Sequence, residues 1–176
     1  MLKEAPPFSR PVRVRDLPAA GTTVTLSASA EERAAIAAEL GLLGLDALSA
    51  DLAVRPIRHG ARVTGTMKAE AVQACVVTLE PVPEAVAEEI DVAFVKPDER
   101  PRPAEIDVDP VAADPPDPFD GESIDLGALV VEHLVLGLDP YPRRPGAVFE
   151  AGDDAAGGGD DRPSPFATLA KLKPQR

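Results

Sequence analysis

Residues 121–147 read GESIDLGALVVEHLVLGLDPYPRRPGA, the most apolar run in a chain otherwise rich in charge and proline. Ser123 or Asp125 can cap a helix start there by accepting a backbone N–H bond. From Leu126 to Leu138 nearly every residue is apolar, with Glu132–His133 the one polar break. A helix that is apolar almost all round is not satisfied by a single buried stripe, so the pattern predicts burial on most sides. Gly137 weakens the last turn, and Pro140 forces Asp139 out of helical geometry. The 13 residues of this run are too few to span a bilayer. The run is expected to be the central core helix, with the rest of the chain wrapped around it.

Upstream lies the clearest strand signal. Leu52–Arg58 is followed by His59–Gly60, a turn pair, and then by strict alternation. Val63, Gly65, Met67, Ala69 and Ala71 fall on one face, and Arg62, Thr64, Thr66, Lys68 and Glu70 on the other. Period-two alternation of this kind predicts a sheet with one wet face. Cys75–Pro81 continues the apolar parity through Val77 and Leu79 and leads to Val86–Val95, where Val86, Ile90, Val92 and Phe94 share a face. Residues 52–95 thus read as a three-stranded antiparallel meander. Nearer the N-terminus, Arg10–Leu17 alternates as a half-exposed edge strand, and Thr22–Leu26 is a second short β-like run. Ser29 and Glu32 make a capping box for a helix over Ala30–Leu40, with Gly41 where that helix stops. Leu42–Leu48 is apolar but broken by glycine, and reads as packed and irregular.

The expected fold class is α+β: a curved antiparallel sheet of about four to six strands, packed around a buried central helix. An N-terminal helix and a mobile C-terminal tail complete it. The 176 residues suit one domain with tails: 1–150 as the domain, 151–163 as a Gly/Asp-rich linker, 164–176 as a basic docking segment. With no tryptophan and 3% aromatics, the core must be built from Val, Leu, Ile and Ala. The net charge of −12 is concentrated. Between Lys96 and Asp125 ten acids stand against three bases, Lys96, Arg100 and Arg102. Within that span, residues 96–121 hold too little apolar surface to fold alone and read as an extended acidic crossing. One cysteine excludes an internal disulfide and a Cys-rich metal site. No apolar signal core opens the chain, so a cytoplasmic protein is expected, with no membrane and no DNA partner.

Catalytic chemistry finds little support. Cys75 falls on the apolar parity, the place of a buried structural thiol. His133 lies within the apolar helix and His59 in a tight turn, positions that favour a satisfied or surface histidine over a catalytic one. No phosphate loop, zinc spacing or nucleophile elbow is present. Positive charge is the better lead. Arg55, Arg58, Arg62 and Lys68 occur with no acid among them, and adjacent strands could gather them into one patch for phosphates or an acidic partner, joined by Arg10, Arg13 and Arg15. The alternative is a solvated sheet face, and no aromatic side chain stands nearby to stack bases. Arg143 and Arg144, after the core helix, are further candidates. In the tail, Pro165, Phe166, Leu169, Lys171, Leu172 and Lys173 have the spacing of a short amphipathic docking helix with Ser164 as its cap. Packing back on its own domain is the competing reading.

Three stretches together resemble the YceD family of large ribosomal RNA subunit accumulation proteins. They are QACVVTLEPV (Gln73–Val82), IDLGALVVEHLVLGLDPYPRRPGA (Ile124–Ala147) and SPFATLAKLK (Ser164–Lys173), in that order. The resemblance implies a non-enzymatic factor for 23S rRNA accumulation and large-subunit assembly. Its implied partners are 23S rRNA or its precursor, a large-subunit ribosomal protein, or both. The runner-up is an adaptor outside the ribosome that docks a partner through its C-terminal segment. The chain departs from the family pattern at Cys75-Val76-Val77-Thr78, where many relatives carry Cys-x-x-Cys, and DPYPRRPG holds no cysteine or histidine. A structural zinc is therefore not carried over, and no cofactor is expected. Packing around Val77, Leu79 and the prolines is expected to hold that turn instead.

Overall fold

The computed structural model describes residues 6–97 and 116–149. Among the described residues ten elements follow one another: β1 (Pro11–Arg13), a 3-10 turn (Val14–Asp16), β2 (Thr22–Ser27), α1 (Ala30–Leu40), β3 (Gly44–Ile57), β4 (Gly60–Ala74), β5 (Pro81–Val95), β6 (Asp117–Pro118), β7 (Ser123–Asp125) and α2 (Leu126–Gly137). The fold is α+β, as expected. A five-stranded sheet runs in the order β2-β3-β4-β5-β6, and β1 pairs with β7 in a separate ribbon. β2 through β5 are antiparallel neighbours, and β6 joins β5 in parallel, which makes the sheet mixed.

The predicted meander is present, but β3 begins at Gly44. The stretch read as irregular, Leu42–Leu48, is therefore mostly strand. Its alternation is disguised by a register shift between Leu45 and Ala47. That extra residue lets Leu45 and Leu48, three apart, both point inward. On β4 the inner face carries Ala61, Val63, Met67, Ala69 and Ala71, all buried, as the parity required. Val54, Leu52, Ala50 and Leu48 of β3 join them, with Val86 and Ile90 of β5. Part of the acidic crossing is structured, since Asp117–Pro118 pairs with Phe94–Val95 and Phe119 is buried beside it. The rest of that crossing, 98–115, lies outside the described residues, as does the tail beyond Phe149.

α1 starts and stops where the sequence placed it. Ser29 accepts from the Glu32 amide, the Glu32 carboxylate accepts from the Ser29 amide, and Gly41 ends the helix in the left-handed region. α2 is capped by Asp125, not Ser123. Its carboxylate accepts the amides of Gly127 and Ala128, the amide of Arg10 and the hydroxyl of Ser9. Burial opposes ionisation of Asp125, but the bonds from Ser9, Arg10, Ala128 and Gly127 outweigh it and hold the carboxyl below its ordinary range. Glycine at 127 lets the N-terminal segment cross close by, because a Cβ there would sit 2.4 Å from the Phe8 carbonyl oxygen.

The expectation that α2 is buried on most sides needs correction. Leu126, Leu129, Val130 and Leu134 are buried against the inner face of the sheet, whereas Glu132 and Val135 are exposed and Leu136 is 72% exposed. The sheet is open, so it covers one side of the helix and not the other. The compact unit ends at Pro145; Gly146–Phe149 belong to a second unit, of which these four residues alone are described.

Candidate functional site

The outer face of the sheet carries Arg55, Arg62 and Lys68 of the predicted basic residues. Arg55 and Arg62 stand directly opposite one another on β3 and β4, and Arg58 lies in the tight turn between those strands, with its Nε 2.9 Å from His59 Nε2. Lys68 is opposite Ser49, six residues along β4 from Arg62, or about 20 Å at the ordinary strand rise. The register thus gathers Arg55, Arg58 and Arg62 at one end of the face and leaves Lys68 at a distance. A depression of about 370 Å³ at that end is lined by Arg55, Pro56, Ile57, Arg62, Thr64 and Asp91.

Asp91 is the partner that sequence reasoning missed. Its two oxygens accept from Arg62 Nε and a terminal guanidinium nitrogen at 2.6 and 2.7 Å, a two-bond fork on an exposed surface. Each holds the other charged: the Arg62 hydrogen bonds lower the Asp91 carboxyl, and Asp91 raises the Arg62 guanidinium. The two are 29 residues apart, yet the Cys75–Glu80 turn between β4 and β5 and the unbroken register that follows it fix Asp91 opposite Thr64. The signal was present in the alternation but not used. Arg10, grouped with the patch in the sequence, instead pairs with Glu32 at 2.7 Å and lies over the Phe8 ring. Arg13 and Arg15 belong to β1 and the turn after it.

A second constellation forms where the β4–β5 turn meets the segment after α2. Cys75 is fully buried, in the turn and not in a strand. Its sulfur accepts the amide of Arg144 at 3.4 Å and that of Thr78 at 3.5 Å. The Arg144 amide, then the Thr78 hydroxyl and amide, stabilise the thiolate and bring the thiol down to about 6. The Val76 amide donates to the Pro142 carbonyl, the Arg144 guanidinium pairs with Glu80, and Glu84 accepts the Asp139 amide. Leu79 does not help hold this turn, contrary to expectation: it is 76% exposed, with φ at +61°. The turn is held by sulfur and backbone hydrogen bonds instead. Arg143 is exposed on the same segment. The docking residues Pro165, Phe166, Leu169, Lys171, Leu172 and Lys173 lie outside the described residues.

Two of the motif stretches, 73–82 and 124–147, are thus brought into contact. A family model described as large ribosomal RNA subunit accumulation protein YceD matches residues 63–173, well over half of the chain. The chain belongs to the YceD family. No curated protein and no solved structure gave a match. The family is named for accumulation of the large ribosomal RNA, and that role is the coarse functional statement the match supports. A zinc of the kind a Cys-x-x-Cys turn holds does not fit the residues present here. Thr78, which offers no thiolate, stands three residues after Cys75, and the Cys75 sulfur accepts the amides of Thr78 and Arg144. Among the described residues no three His, Cys, Asp or Glu side chains are grouped to hold a metal. Among them, too, no helix is long and apolar enough to cross a membrane.

Proposed function

We propose that this protein is a non-enzymatic, cytoplasmic ribosome-biogenesis factor that supports 23S rRNA accumulation and large-subunit assembly by binding. The observation that carries the reading is the family match, which spans β4, β5, α2 and the tail in one continuous stretch. Arg55 and Arg58 are the first RNA-facing groups in this scheme, since both are exposed at the open end of the sheet. Arg62 can join them by exchanging Asp91 for a phosphate, an exchange between two anions that keeps its fork satisfied. Lys68, Arg143 and Arg144 extend the contact as point charges at other places. The acidic balance of the chain favours a protein partner beside the RNA, because phosphate binding draws only on local positive charge. The tail residues Phe166, Leu169 and Leu172, with Lys171 and Lys173, dock that partner; their inclusion in the family match is what supports this role.

The test is the ratio of 23S to 16S rRNA, with gradient profiles, in cells depleted of the protein. A selective fall in 23S and in large subunits is the expected result; an unchanged ratio overturns the assembly role. Charge reversal at Arg55, Arg58, Arg62 and Lys68 then separates the RNA contact from the rest. Unchanged RNA crosslinking in that variant removes the RNA half of the proposal.

A further inference from the structure

β6 covers only Phe94 and Val95 of the fifteen-residue strand β5. The remainder of that edge has no strand partner among the described residues. Its polarity can be assigned. The Lys96 amide points inward to the His59 carbonyl, and the Val95 carbonyl points outward to the Phe119 amide. The β4–β5 register is unbroken, so Ala85, Ala87, Glu89, Asp91 and Ala93 all turn their N–H and C=O groups outward. Four of these five are exposed and Ala93 half-buried. Beside the edge runs a groove of about 320 Å³ floored by Val92, Leu129 and Leu136, with Asp91, Asp117, Glu132 and His133 along its sides. The exposed face of α2 forms its wall.

Charge decides what fits there. Glu88, Glu89, Asp117 and Glu132 have no cationic partner among the described residues. Asp91 is shared with Arg62, and Glu84 is engaged by the Asp139 amide. The cations facing the strand, Arg62 and Lys68, stand one strand inward on β4. A second copy of β5 laid along this edge would set acid against acid, and Pro81 and Pro83 remove two donors at its start. An extended segment carrying Lys or Arg at alternate positions meets no such obstacle.

We propose that the open edge of β5 and the adjoining α2 groove bind an extended, lysine- or arginine-rich protein segment by strand addition. Its backbone completes the ladder at Ala85–Ala93, its basic side chains, all on one face, meet Glu89 and Asp91, and the apolar side chains between them settle on Leu129 and Leu136 in the α2 groove. The biological meaning rests on the assembly role proposed above, for which it names the class of protein partner. The peptide measurement below can fail while the rRNA ratio holds, so the two fail separately.

The probe is a nine-residue peptide of alternating Lys and Val, titrated into the full chain, with a second peptide N-methylated on the edge-facing amides. The first binds and slows amide exchange at Ala85, Ala87, Glu89, Asp91 and Ala93; the second binds about tenfold more weakly, since it cannot donate to the edge. Ala87→Pro removes one outward donor without touching the β4 ladder or any charge, and weakens binding about tenfold, while Ala87→Val does not. Glu89→Lys weakens it by about tenfold or more. Equal binding of both peptides, or of the proline variant and the parent, overturns strand addition. Slow exchange of these five amides in the free protein also overturns the proposal. If that protection is independent of concentration, another segment of the chain fills the edge; if it rises with concentration, a second copy does.

Discussion

α1 and α2 differ by a single residue in length and are built on opposite plans. α1 is closed at both ends by its own sequence, through the Ser29–Glu32 box and Gly41, and buries only Ile36 and Ala37. Its outward residues, Glu31, Ala34, Ala35, Ala38 and Glu39, are at ease in water. α2 depends on the rest of the chain. Asp125 caps it while tying in the N-terminal segment, and its inner face fills the core. Its outer face still presents Val135 and Leu136. A helix that is amphipathic is finished once it has docked; one that stays apolar on its outer side has surface left over for another partner.

That contrast can be broken by mutation, and the largest effect should come from the inner face of α2. Leu134→Ala, at a fully buried position, is expected to cost about 2–5 kcal/mol in denaturant unfolding. A loss below about 1 kcal/mol would show that the helix is not packed as described. Asp125→Ala comes next, at about 2–3 kcal/mol, because it removes a helix cap and strands the Ser9 and Arg10 donors together. The pH dependence has a definite sign. Asp125 titrates lower folded than unfolded, so its contribution is full above the ordinary value of 3.8 and is lost as pH falls through the folded one. Thermal melts of parent and Asp125→Ala should therefore converge as the pH is lowered through that range. Ser29→Ala in α1 should cost about 1 kcal/mol, since it removes one cap on a helix that little else depends on. Leu136→Ala should change stability by less than about 0.5 kcal/mol, and a larger loss would mean that the outer face of α2 is already covered.

The legible parts of the molecule are those whose signals are local. The capping box, Gly41, the α2 run and the parity of β4 each declare themselves within a few residues, and the structure places all four accordingly. The first half of β3 was hidden because the extra residue at Leu45–Ala47 resets the alternation, and a period-two search discards such a segment. β6 was hidden because two residues, one a proline, carry no periodicity at all. The exposure of α2 is a property of the open sheet beside it, which no window over Leu126–Leu138 contains. At the site, the residue types were readable but their grouping was not. Register separated Lys68 from the arginines and gave Arg62 to Asp91, and the two amides on Cys75 come from segments on either side of α2's docking.

The β1–β7 ribbon has a bearing on how the chain matures. Phe8 and Ser9 find their places only against α2 and Asp125, more than a hundred residues further along. During vectorial synthesis the meander β3–β5 can assemble early from neighbouring strands, whereas the segment at Phe8–Ser9 must wait until α2 emerges. Phe8 and Ser9 are thus secured only after Asp125 and α2 have been made. The β1–β7 pairing acts as a drawstring, joining β1 to the strand that leads directly into α2.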